Sequence, residues 1–243
     1  MTQNIYDNPD FFAGYARLPR SVSGLDGAAE WPRLRAMLPS MAGLRVLDLG
    51  CGYGWFARWA RTAGAASVLG LDVSEMMLAR AAADTKDDAI AYRRADLESL
   101  ILPEAAWDLV YSSLAFHYIV GMEALFAQVH RTLAPGGRFV FSVEHPLYTA
   151  PRVPKWNKDD AGGSTWNLDG YLEEGPRRTD WIAKGVIKQH RSIGTYLTLL
   201  LRQGFVLTDI EEWGPTDAQL AEHPEWVLER QRPPFLLVGA NRA

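Results

Sequence analysis

Residues 46–54 read Val46-Leu47-Asp48-Leu49-Gly50-Cys51-Gly52-Tyr53-Gly54, and this stretch decides the fold. A short apolar run of strand length enters a glycine-rich turn, and residues of helical period follow at once, with Trp55, Phe56, Trp59 and Ala60 at helical spacing. Glycine lets the backbone approach a ligand closely, and the free N–H groups of the new helix face whatever the turn holds. Such a turn is a nucleotide-type site. Two ligand classes compete for it: a dinucleotide, whose fingerprint is G-x-G-x-x-G, and a nucleoside without phosphates. Counting from Gly50, the third dinucleotide glycine would fall at Trp55, so that pattern fails. Asp48 points the same way, because a carboxylate at the strand end opposes a pyrophosphate and favours an ammonium or sulfonium cation.

Outward from this turn, strand-length runs alternate with helical ones. Val68 to Leu71 reads as a second strand that ends at Asp72, from where a carboxylate can accept both ribose hydroxyls. Ser74 is the expected N-cap of a helix running through Ala83. Ile90 to Arg93 is a third strand, followed by Asp96, and Trp107 to Leu114 a fourth, buried one. Met122 to Leu133 is an amphipathic helix that Pro135-Gly136-Gly137 ends, and Phe139 to Val143 forms the fifth strand. This alternation predicts βα units around a parallel sheet, with the ligand at its carboxyl edge, where Asp48, Asp72 and Asp96 stand.

After Glu144 the rhythm breaks. Up to Ile187 there are four prolines, the pair Gly162-Gly163, and Trp156, Trp166 and Trp181. Structureless loops above ~12–15 residues are uncommon, so this segment is expected to be an inserted cap with a hairpin. Ser192 then caps a helix to Gln203, Gly204 stops it, and Phe205 to Ile210 with Phe235 to Gly239 are expected to pair at the sheet edge. The chain thus reads as one domain: an N-terminal lid (1–43), a core (44–144), a cap (145–191) and a C-terminal helix with a strand hairpin (192–243).

Composition narrows the function. With 243 residues, 48% hydrophobic, 22% charged and a net charge of −4, the chain is an ordinary globular protein. It has no apolar run near the ~18 residues of a membrane span, and Met1 to Asp10 lacks a basic-then-apolar leader. A cytoplasmic location without membrane partners is expected. The single cysteine, Cys51, excludes an intrachain disulfide and a Cys-based zinc cage, and no metal is expected. An acidic pI of 5.8 without a Lys/Arg block argues against nucleic acid and favours a small-molecule substrate.

At this point the residues resemble the class I S-adenosylmethionine-dependent methyltransferases. Val46 to Gly54 is similar to the family's first motif, Gly70 to Leu78 to its second, and Leu133 to Gly137 to the turn before its fifth strand; with Trp107 to Tyr118 these span roughly Leu44 to Glu144. The resemblance implies a Rossmann-like, seven-stranded, mostly parallel sheet of order 3-2-1-4-5-7-6, helices on both faces, and S-adenosyl-L-methionine as cofactor. It implies that Asp48 and the backbone around Gly50, Gly52 and Gly54 hold the methionine moiety and Asp72 the ribose. Val73 and Met77 would flank the adenine, Asp96 and the Leu97 amide would read its edge, and Ser113 would lie near the sulfonium. Tyr15 and Arg20, in an aromatic-plus-arginine segment, would contact the methionine carboxylate from a lid; the competing reading packs that helix on the sheet with Arg20 in solvent.

Methyl transfer from a sulfonium needs positioning above all, and a general base only for a protonated acceptor. His117, near the transferred methyl by the resemblance, His145 and His190 are the catalytic candidates, with Glu144 beside them; a histidine satisfied by a backbone carbonyl is the plainer alternative. Trp156, Trp166, Tyr171 and Trp181 form either an acceptor pocket or the cap's own small core. Trp55 and Trp59 are expected to pack helix on sheet, and one of Met76 and Met77 to be core. A small-molecule methyltransferase, monomeric or homodimeric, is therefore expected, against an NAD(P)-dependent Rossmann oxidoreductase or a non-catalytic S-adenosylmethionine-binding protein.

Overall fold

The computed structural model describes residues 3–243; Met1 and Thr2, the first residues of the expected lid, lie outside the described residues. The chain begins with three short helices, α1 (Pro9–Tyr15), α2 (Pro19–Val22) and α3 (Trp31–Ala36). Asn8 caps α1 by accepting from the N–H groups of Asp10 and Phe11, and Pro9 at the first turn has no N–H to leave unpaired.

The core alternates as expected: β1 (Arg45–Leu49), α4 (Trp55–Thr62), β2 (Ser67–Asp72), α5 (Glu75–Ala83), β3 (Ile90–Arg94), β4 (Trp107–Ser113), α6 (Met122–Thr132) and β5 (Leu133–Glu144). Ser74 caps α5, its Oγ accepting the N–H of Met77 at 3.1 Å. The cap follows, with α7 (Pro146–Thr149), β6 (Trp156–Lys158), β7 (Ser164–Trp166), β8 (Gly175–Trp181) and β9 (Ala183–His190). It holds two hairpins where the sequence suggests one, β6 with β7 and β8 with β9, both antiparallel. The chain closes with α8 (Ile193–Arg202), β10 (Phe205–Trp213), α9 (Asp217–Glu222) and β11 (Phe235–Arg242).

Seven strands form one sheet in the order β10-β11-β5-β4-β1-β2-β3. In the order of the seven sheet strands this is 3-2-1-4-5-7-6 read from the other edge, with β11 antiparallel to both β5 and β10. The fold is a Rossmann-like α/β sheet with helices on both faces. Both faces are covered, so its inner strands are apolar on both sides. Val46, Val68, Leu109 and Val140 face Trp31, Phe56, Ala57 and Ala60, while Leu47, Val110, Phe139 and Phe141 face Phe126, Val129 and Leu200.

Three local departures are instructive. The fifth strand begins at Leu133, directly after α6. Leu133 pairs with Trp107 and Arg138 with Leu109, so Ala134-Pro135-Gly136-Gly137 bulges out of the strand. On α4 the sheet-facing stripe is Phe56, Ala57 and Ala60, whereas Trp55 and Trp59 are half-buried and pack outward, Trp59 edge-on to Trp31 with ring centroids 4.8 Å apart. Met77, not Met76, is the buried one of its pair. Among the described residues no helix is long and apolar enough to cross a membrane.

Candidate active site

The carboxyl ends of β1 to β5 open into one cavity of about 360 Å³, roofed by the N-terminal segment and the cap. Gly50, Gly52, Asp72, Val73, Met77, Asp96, Leu97, Ser113 and His117 line it, as do Tyr15 and Arg20 from the N-terminal helices. A smaller cavity of about 100 Å³ adjoins it behind the glycine turn, sharing Tyr15, Arg20, Gly50, Gly52 and Ser113 and adding Asp48.

The turn owes its shape to its glycines. Gly50 and Gly52 have φ of 74° and 51°, where an L side chain is strained. A Cβ on Gly50 would lie 2.4 Å from Ala115 Cβ, while one on Gly52 would meet nothing within 4 Å, leaving open space above that backbone. Asp72 holds the turn from β2: its Oδ2 accepts the Gly52 N–H and its Oδ1 the Ser74 N–H, both at 2.9 Å. Burial raises the proton affinity of this carboxyl despite those amides. Asp96 accepts the Glu98 N–H at 3.0 Å, starting the 3-10 turn Leu97–Ser99 at the cavity edge. Beyond β4 the backbone turns through Leu114, a non-glycine residue at φ 54° whose N–H donates to Ser142 O at 3.0 Å. A left-handed leucine on a cavity wall is a strained turn held by its surroundings.

Comparison with known proteins identifies the family of this chain. Residues 47–141 match the family model of a methyltransferase domain. A solved S-adenosylmethionine-dependent methyltransferase from Mesorhizobium loti is 59% identical, with a TM-score of 0.87 over 90% of this chain and 100% of that one. The chain belongs to the class I S-adenosylmethionine-dependent methyltransferases. An uncharacterised protein of Haemophilus influenzae is 32% identical over 251 residues, covering 98% of this chain and 97% of its own. A malonyl-[acyl-carrier protein] O-methyltransferase of Pectobacterium atrosepticum is 38% identical over 110 residues, 45% of this chain and 42% of that protein. The dinucleotide oxidoreductase and the non-catalytic binding protein are set aside.

The cofactor of this methyltransferase is S-adenosylmethionine, and the residues present fit it. Asp48 is 2% exposed, and its Oδ2 is buried without a hydrogen-bond partner among the described residues. Burial first, then the nearby Asp72 charge, pushes its proton affinity well above the ordinary carboxylate range. A buried orphan acceptor beside a glycine turn suits an ammonium group. Arg20 lies close by, fixed by two contacts of its Nη2 to buried Glu30 at 3.0 and 3.2 Å, which places it in the wall and not in solvent.

Gly54 does not reach either cavity. It stands at the N-cap of α4 with φ 72°, and a Cβ there would lie 2.1 Å from the Tyr92 hydroxyl, so packing requires that glycine. Two catalytic candidates also move away. His145 is fully buried, its Nδ1 accepting the Leu147 N–H at 3.0 Å as the cap of α7 and its Nε2 3.2 Å from Glu212 Oε1. His190 is fully buried as well, its Nδ1 2.9 Å from Thr149 Oγ1 and its Nε2 donating to Tyr171 O at 2.9 Å. With both ring nitrogens engaged off the cavity, neither serves as a base there. His117 stays on the wall, but its Nδ1 accepts the Glu144 N–H at 3.4 Å, so the neutral ring carries its proton on Nε2 and offers a donor. Burial, the dominant cause, brings its pKa down to about 4.

The far end of the cavity carries Glu144 and Trp181, both candidates from the sequence, together with residues that motif spacing does not reveal: Tyr6, Tyr118, Tyr148, Glu229 and Arg232. Glu144 ends β5, and its Oε1 takes a 2.5 Å contact from Nζ of Lys188, itself only 2% exposed and 4.6 Å from the Trp181 ring centroid. Lys188 reads as one charge in an alternating hairpin. Its role follows only from the fold of the cap.

Proposed function

We propose that this methyltransferase acts on a small-molecule acceptor held between the strand ends and the cap, with Glu144 as the group that takes the acceptor's proton. One observation carries the reading: Glu144 lines the cavity with Oε1 fixed by Lys188 and Oε2 buried without a partner among the described residues. A buried acceptor atom without a donor costs about 1–3 kcal/mol, which a hydroxyl or ammonium entering the cavity would recover. When bound, the cofactor supplies a methyl group on a sulfonium.

In this reading Asp48 holds the ammonium and Arg20 the carboxylate of the methionine end. Asp72 takes the ribose hydroxyls, and Val73, Met77, Asp96 and Leu97 surround the base. Tyr15, Tyr6 and Tyr118 close the cavity; the Tyr6 and Tyr118 hydroxyls are 3.3 Å apart. That aromatic roof excludes water and orients the acceptor, and His117 donates from Nε2 to it. Residues 145–191 and the N-terminal segment are the parts that choose the acceptor. Small-molecule use is supported by the confined volume of the cavity, and O-methylation by the partial match to a malonyl-[acyl-carrier protein] O-methyltransferase.

The test is transfer of a labelled methyl group into a fractionated metabolite extract. Label should enter the low-molecular-weight fraction, and Glu144→Gln should lower kcat by about 10²–10⁴-fold, the usual reach of a general base, with S-adenosylhomocysteine affinity retained. Label confined to protein or RNA, or an unchanged kcat, would overturn the reading.

A further inference from the structure

Arg232 is 4% exposed and lies on the cavity wall, yet one N–H of its guanidinium, Nε, has no partner among the described residues. Its guanidinium sits 4.5 Å from the ring centroids of both Tyr148 and Trp166 and 5.6 Å from that of Trp156. These rings come from α7 and the β6–β7 hairpin, so the cap fixes the plane of the cation and strips it of water. Its carboxylate partner is Glu229, which takes Nη2 alone. Nε, on the same edge of the fork, is buried without a partner among the described residues. Arg45 shows the complete arrangement in this molecule, with Nε at 3.0 Å and Nη2 at 2.8 Å on the two oxygens of Asp108.

A desolvated fork with half an edge unused is a site for a planar oxyanion, which binds both N–H groups in parallel. Glu229 is suited to give way. Its side chain is 29% exposed, against 5% for Arg232, and it belongs to the 3-10 segment Pro224–Arg230, which buries none of its residues. The place is right for an acceptor, because Phe235, three residues on, pairs with Glu144 in the β11–β5 ladder.

We infer that Arg232 anchors the acceptor through a carboxylate of its own, which replaces Glu229 on the Nε–Nη2 edge and presents a protic nucleophile toward Glu144. The acceptor class is thus a small acid carrying a hydroxyl or amine. In the reaction that nucleophile bonds to the methyl carbon, the carbon–sulfur bond breaks with its electron pair left on sulfur, and the nucleophile's proton passes to Glu144. The inference rests on the small-molecule reading above.

Glycolate and acetate, with glycolamide and acetamide as neutral controls, can be titrated onto the protein saturated with S-adenosylhomocysteine, following heat and thermal midpoint. The acids should bind saturably and the amides not. Arg232→Met should weaken acid binding by about tenfold or more, the equivalent of ~1.4 kcal/mol, with S-adenosylhomocysteine affinity unchanged. Glu229→Gln should tighten acid binding by removing the competitor, and it carries the test should Arg232→Met not fold. Equal response to acids and amides, or acid binding indifferent to both variants, overturns the inference while leaving the methyltransferase site intact. Failure of S-adenosylhomocysteine itself to bind would instead overturn the site assignment.

Discussion

Oδ2 of Asp72 accepts the backbone N–H of Gly52 at 2.9 Å, tying the end of β2 to the glycine turn after β1. The carboxylate expected to meet the ribose is therefore also a strut for the turn, and cofactor binding and local order are coupled through one side chain. Asp7 extends the coupling to the N-terminal segment: its Oδ1 takes the Ser74 hydroxyl at 2.5 Å and the Met76 N–H at 3.1 Å.

Asp72→Ala should thus lose affinity and stability together. Hydrogen bonds to a charged group contribute about 1.5–3 kcal/mol each, so losing those to both ribose hydroxyls should lower S-adenosylhomocysteine affinity by about 10²–10⁴-fold. Asp72→Asn should fall less, since one oxygen remains to accept. Calorimetric titration beside a thermal melt reads both effects; unchanged affinity would remove Asp72 from the ribose site.

Cofactor binding should release a proton from Asp48. Burial raises its proton affinity in the free protein, and a cation placed beside it lowers that affinity, so cofactor affinity should rise with pH from the ordinary carboxylate range up to well above it. Titration in two buffers of different ionisation enthalpy counts the proton. Asp48→Asn should abolish both the release and the pH slope.

His117 makes a prediction about stability. Its folded pKa is depressed to about 4 from 6.5, so the unfolded chain binds more protons between those values. The contribution is fully present above about pH 6.5 and is lost as pH falls toward 4, amounting to about 3 kcal/mol. Urea unfolding of His117→Gln between pH 4 and 7 should show a shallower acid limb than wild type. Part of the slope should remain, because His145 and His190 are also depressed by burial.

Gly50→Ala and Gly52→Ala should separate packing from ligand contact. Both incur the left-handed strain of about 1–2 kcal/mol, but only the first meets Ala115. Gly50→Ala should lower the thermal midpoint more. Gly52→Ala should instead show its larger effect on S-adenosylhomocysteine affinity, since its new methyl group occupies open space at the turn. Equal effects of the two on both measurements would argue against a ligand over Gly52.

The strand order was implied by the family resemblance, whereas the sequence by itself determined the alternation of strands and helices and the glycine turn. Those features are local: a strand-length apolar run, a turn that tolerates positive φ, a helix start and an acid at each strand end lie within about ten residues of each other. Asp48, Asp72 and Asp96 were legible because strand ends in a parallel sheet must share one edge. The tertiary structure alone decided which histidines face the cavity, since a ring's role depends on partners such as Glu212 or Thr149, 67 and 41 residues away. It alone brought Lys188 to Glu144 across 44 residues and set Arg232 among Tyr148, Trp156 and Trp166. Period and spacing report only neighbours along the chain, whereas burying a charge selects its partner in space. The strand-end side of the cavity is accordingly written in motifs, and the side proposed for the acceptor in contacts that exist only once residues 145–191 have folded over the sheet.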